Sequence, residues 1–117
     1  QDKWRDRIQR GLDYYQEHLF LSDGTARYYS KSTKPLDPHS FAQGALTLTE
    51  AVQLGYSIDV EPRQILLAAV KRLWDEGRRG FLYRPPSSLR QPMIHSRWSQ
   101  AWMLRAITAY LDWTEGS

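Results

Sequence analysis

Four stretches of the chain place apolar residues at three- and four-residue steps, the period of a helix that buries one face. In the first, Trp4, Ile8, Leu12, Tyr15 and Leu19 form the stripe, with Arg, Asp and Gln between them. The second runs from about Ser40 to Leu54 on Phe41, Ala45, Leu48 and Val52, flanked by Ala42, Leu46 and Ala51. Gly55 then follows as the natural left-handed residue after a helix. Pro62 opens the third, where its missing N–H costs nothing. That helix carries Ile65 to Val70 and then Leu73-Trp74, and Gly77 and Gly80 are expected to end it. The fourth, about Arg97 to Trp113, shows apolar residues nearly all round, which predicts burial on every side. The second and fourth helices are therefore expected to be inner, and the first outer.

Between the helices the pattern changes. Ser22-Asp23-Gly24-Thr25 stops the first helix, and Arg27-Tyr28-Tyr29 reads as a short extended piece. Phe81-Leu82-Tyr83 reads the same way after the third helix, and residues 84–92 (RPPSSLRQP) are loop by composition. The order helix, Gly turn, aromatic strand-like piece, Pro loop, helix thus occurs twice. Aligning Gln43 with Gln100 sets Phe41 on Trp98 and Leu46 on Met103, whereas Tyr29 aligns with Tyr83 at a slightly shorter offset. A repeated two-helix unit marks a solenoid or a closed toroid. The long decorated loops favour the toroid. The expected fold class is all-α: a single helical domain over 1–117, with two hairpins forming part of an (α/α) toroid and short extended pieces in the loops.

Composition narrows the function classes. Hydrophobic residues make up 41% and charged residues 25%, ordinary for a globular protein, but five Trp and seven Tyr are many. Such residues fill cores, and they also line sugar and peptide surfaces. The net charge of +3 is spread along the chain, and residues 78–84 (RRGFLYR) are too few for a nucleic-acid stripe, so no nucleic-acid partner is expected. No Cys is present, which excludes disulfides and thiolate chemistry. No membrane span or signal peptide is visible, and a cytoplasmic location is expected. The chain lacks an initiator Met and is helix-like by Trp4, so it is expected to be a piece of a longer protein.

In a toroid the N-terminal ends of the inner helices meet at the mouth of a cavity. Here those ends carry Asp37, His39, Ser40 and Gln43 in one repeat, and His95, Arg97, Trp98, Gln100 and Trp102 in the other. His39 and Gln43, and likewise Arg97 and Gln100, share helical faces. Gln and Arg can fork hydrogen bonds onto vicinal hydroxyls or a carboxylate, and Trp supplies a stacking plate. That set suits a sugar or sugar acid. Tyr29 and Tyr83 belong to the same decorated loops. His39 with Asp37 is the candidate acid–base pair, although Asp37 and Ser96 also fit as helix caps. Gln43 and Gln100, one turn inside apolar helices, need partners if buried. A glycosidase needs two carboxylates, and Asp37 alone stands near the mouth. Asp23, Asp75 and Glu76 read as turn or surface groups. His18, His39 and His95 lack ligand spacing, so no metal or cofactor is expected.

Residues 19–48 and 95–111 resemble a bacterial family of six-hairpin-glycosidase-like α/α toroid proteins associated with surface-polysaccharide biosynthesis. The matching features are Asp23-Gly24-Thr25, Tyr28-Tyr29, Asp37 through Gln43, and Arg97 through Met103, with Pro38 where an aliphatic residue is usual. The resemblance implies a toroid fold and a sugar or glycan ligand. It implies no particular reaction, since related toroids include hydrolases, lyases and epimerases. Two hairpins are a third of a six-hairpin ring, and the isolated piece is expected to be inactive. Gln43, Arg97, Gln100 and Trp102 should then line one concave surface. A non-catalytic helical-repeat interaction module would instead show an exposed apolar groove along its helices. An isoprenoid-handling barrel would need a zinc thiolate or an acid-rich metal motif, and neither is in the sequence. Helices cut from their neighbours should self-associate through exposed apolar faces.

Overall fold

The computed structural model describes residues 2–27, 36–84, 93–94 and 97–116. Four helices dominate it: α1 (Asp2–Leu19), α2 (Pro38–Gln53), α3 (Pro62–Leu73) and α4 (Arg97–Gly116). Three short antiparallel strands, β1 (Trp74–Asp75), β2 (Gly80–Tyr83) and β3 (Met93–Ile94), fill the interval between α3 and α4. Trp74 pairs with Phe81 and Tyr83 with Met93, so β2 is the middle strand.

The helix ends follow from local chemistry. The Asp37 Oδ1 accepts from the His39 backbone N–H at 2.9 Å and Pro38 takes the first helical position, so α2 begins two residues before Ser40. Leu54 closes it and Gly55 takes a left-handed φ of +91°. Pro62 opens α3 as expected, and the Gln64 side chain reaches back to accept from the Glu61 N–H. That helix stops at Leu73, ahead of the glycines expected to end it. Trp74 is already extended and pairs with Phe81, while the turn over 76–79 carries Arg79 at φ +55°.

Helix α2 is the centre of the molecule. Phe41, Ala42, Ala45 and Leu48 are fully buried and meet Ile65, Ala69 and Leu73 of α3 and Met103 and Ala106 of α4. Gly44 lets α2 lie against Phe20, because a Cβ there would sit 2.6 Å from the ring. The turn after α1 is equally tight. Gly24 has φ +92°, and a Cβ on it would meet the α3 backbone at Gln64.

Two expectations fail here. The first stripe does not stay buried along its length: Leu12, Tyr15 and Leu19 pack on the core, but Trp4 and Ile8 are exposed. The fourth helix is not buried on every side either. Only Ser99, Met103 and Ala106 are buried in α4, while Trp98 is 65% exposed and Leu104 67%. Among the described residues no element covers the apolar positions on its other faces, since α2 and α3 both lie on one side.

Candidate functional site

The isolated pairing of Leu36 with Arg84, through N–H···O bonds of 2.8 and 2.9 Å, ties the start of α2 to the end of β2. From there α2 and α4 run side by side and their N-terminal turns come together. The His39 ring meets Trp102 edge to face at 5.7 Å between centroids, and Trp102 meets Trp98 in the same way at 5.7 Å. The result is a row of three aromatic rings. His39 is half-buried at its inner end and Trp98 open to solvent at its outer end.

His39 also lines a cleft of about 200 Å³ between α1, the turn after it and α2, together with Tyr15, Phe20, Arg27, Ser40 and Gln43. Its Nδ1 is buried without a hydrogen-bond partner among the described residues. A buried ring nitrogen of this kind costs stability unless something binds it. Tyr15 sits on the same wall, edge to face with Phe20, and burial pushes its phenol up to about 12 despite a hydrogen bond with Thr47. Arg27 brings a cation to the rim.

The candidate residues separate into groups. His39, Trp102 and Trp98 are joined by ring contacts, and Gln43 shares the cleft with His39. Gln43 is exposed, so its amide is not the costly interior group expected. Gln100 is elsewhere: its Oε1 accepts from Phe81 N–H and its Nε2 donates to Phe81 C=O, both at 2.8 Å. This two-pronged clamp holds β2 on the flank of α4 away from Trp98 and Trp102. Gln43, Arg97, Gln100 and Trp102 therefore do not form one surface. The two aligned glutamines do different jobs, and the aligned pair Phe41 and Trp98 differ completely in burial.

Arg97 is exposed at the first position of α4, and Tyr83 is half-buried on β2. Tyr29, His95 and Ser96, with Tyr28 of the first extended piece, lie outside the described residues. Asp37 accepts from an amide, and the bare Nδ1 of His39 shows that this carboxylate does not hydrogen-bond that ring nitrogen. Asp23, Asp75 and Glu76 have turn roles. Asp23 accepts from Thr25 N–H and pairs with Arg72 at 3.1 Å, Asp75 accepts from Arg78 N–H, and Glu76 accepts from Trp74 Nε1. Among the described residues no cluster of His, Asp and Glu could hold a metal ion. No described helix is long and apolar enough to cross a membrane.

Sequence reasoning missed Tyr15 and Arg27 as cleft residues. Tyr15 reads as one more member of the α1 stripe, and Arg27 follows a turn whose direction the sequence does not reveal. Compared with known proteins, the chain matches no family model, no curated protein and no solved structure.

Proposed function

We propose that the N-terminal ends of α2 and α4 form a carbohydrate-binding surface, in a chain that contributes two hairpins to an (α/α) toroid of the six-hairpin-glycosidase-like kind. The observation that carries this reading is Trp98, 65% exposed and continuous through Trp102 with His39. Leaving an indole in water forgoes about 2 kcal/mol of burial, and a flat exposed plate suits the C–H face of a sugar ring. The exposed amide of Gln43 can reach hydroxyls, and Arg27, on the same cleft, suits a carboxylate on an acidic sugar.

The reading is one of binding, with hydrolysis, elimination or epimerisation belonging to a whole ring. Asp37 spends an oxygen on the α2 cap, which supports a structural role over catalysis for it. His39 remains the group able to take or give a proton. A second reading, a protein-interaction module without catalysis, is favoured by the exposed apolar stripe of α4.

Five indole N–H signals in an amide–proton NMR spectrum can be followed during titration with neutral and uronate oligosaccharides, cellohexaose and a galacturonate hexamer among them. The signals of Trp98 and Trp102 should move together, and Trp98→Ala should abolish the response while leaving the fold intact. Unmoved Trp98 and Trp102 signals with every glycan, against movement on adding amphipathic peptides, would favour the interaction module instead.

A further inference from the structure

Where the end of α3 meets the residue just past β2, three cations line one pocket. Leu36, Lys71, Arg72 and Arg84 surround a space of about 310 Å³ that shares no residue with the His39 cleft. Leu36 is buried and gives the pocket an apolar wall. Lys71 and Arg72 belong to the last turn of α3, where cations complement the negative end of the helix dipole. That role does not account for Arg84, which arrives from beyond the β1–β2 hairpin. Its Nε donates to the Arg72 C=O at 2.8 Å, and its backbone exchanges two hydrogen bonds with Leu36. The side chain is thereby tethered beside two other cations, against their mutual repulsion.

Among the described carboxylates only Asp23 pairs with any of the three, through Arg72 Nη2 at 3.1 Å. Both side chains of that pair are exposed, at 40% and 46%, so it holds weakly. It also leaves the buried Nε of Arg72 without a partner among the described residues. Lys71 Nζ and the terminal nitrogens of Arg84 make no hydrogen bond or ion pair with another described residue. Three positive charges against one negative leave an excess of two. A phosphate monoester carries about −1.5 to −2 at neutral pH, where a carboxylate carries only one charge. Guanidinium forks present the parallel N–H donors that phosphoryl oxygens accept, and an ammonium adds a point charge. The volume stands at the low end of the ~300–1,000 Å³ of small-molecule sites, which suits one small phosphorylated molecule.

We infer that Lys71, Arg72 and Arg84 form a binding site for the phosphate group of a small phosphorylated molecule, with Asp23 as the internal anion it displaces from Arg72. The site is independent of the sugar reading, because it uses neither the row of aromatic rings nor the His39 cleft.

Amide–proton NMR of the 117-residue chain, titrated with glucose 1-phosphate at constant ionic strength, tests it. The signals of residues 71, 72 and 84 should move together and saturate, while acetate under the same conditions should leave them nearly still. Lys71→Gln changes an exposed side chain and should weaken binding by about fivefold. Asp23→Asn can keep the Oδ1 that accepts from Thr25 N–H at 2.9 Å but removes the charge that competes for Arg72. It should tighten binding by about the same factor. Far-UV circular dichroism checks that both variants keep the helices. Shifts that do not saturate with glucose 1-phosphate would overturn the inference. So would equal shifts with acetate, or an affinity that either substitution leaves unchanged. Binding confined to vesicles containing phosphatidic acid would give the site to a membrane surface and overturn it too.

Discussion

Glutamine is the residue this chain uses to fasten backbone to helix. Gln9 grips Ser57 with both ends of its amide at 2.9 Å, and Gln16, 3% exposed, accepts from the N–H groups of Asp59 and Val60. Gln100 does the same for Phe81. An amide offers one donor and one acceptor in a plane, so it substitutes for a neighbouring strand over one residue. Replacing Gln100 with Ala leaves a partly buried N–H and C=O of β2 without partners. The expected cost is about 2–3 kcal/mol in urea unfolding, whereas Gln43→Ala, on an exposed amide, should stay within about 0.5 kcal/mol. Equal losses would sink this assignment. Tyr15 gives a second residue-scale expectation. Its folded pKa of about 12 exceeds the ordinary value near 10, so the folded state keeps a proton that the unfolded chain has lost between those pH values. Its contribution to stability is intact below pH 10 and falls as the pH rises toward 12. Thermal melts from pH 9 to 12 should show this fall, shallower in Tyr15→Phe than in the parent.

At the scale of elements, period three-to-four is enough to find all four helices, because each has one face on the core and a proline, aspartate or glycine that marks an end. Period tells which faces are apolar. It does not tell which are covered, and α4 shows the difference: apolar nearly all round, yet buried at three positions. The short strands were half legible. Phe81-Leu82-Tyr83 stands out by β-branched-free aromatic and aliphatic bulk between turn residues, while Trp74-Asp75 continues the helical pattern and turns extended only because Phe81 folds back beside it. The N-terminal turns of α2 and α4 were legible as polar and aromatic helix starts, and there Trp102 meets both His39 and Trp98. The clamp of Gln100 was not, because its partner lies nineteen residues earlier across a hairpin whose geometry no local signal sets.

The whole molecule measures 49 × 34 × 22 Å, about two helix diameters in its shortest direction. Its radius of gyration, 14.7 Å, exceeds the roughly 13.4 Å of a compact domain of this length. Helix α1 leans on the core through its C-terminal half. Its N-terminal half is held by the Gln9 clamp, by Arg5 donating to Leu54 C=O, and by the same guanidinium over Tyr56 at 4.3 Å. Those are exposed polar contacts, each worth little beside apolar burial. Helix α2 is the opposite case, with Phe41, Ala45 and Leu48 fully buried between three other helices. Local opening should therefore cost least at the start of α1 and most in α2. In native-state hydrogen exchange, the amides of residues 6–9 should exchange early and with little dependence on denaturant. Those of residues 44–49 should exchange only with global unfolding. Arg5→Ala should speed the first group and leave the second at its global limit, because it loosens the outer turn of α1 without touching the α2 core. Uniform protection across both helices would mean that α1 is bound to the core along its whole length, against the exposure of Trp4 and Ile8.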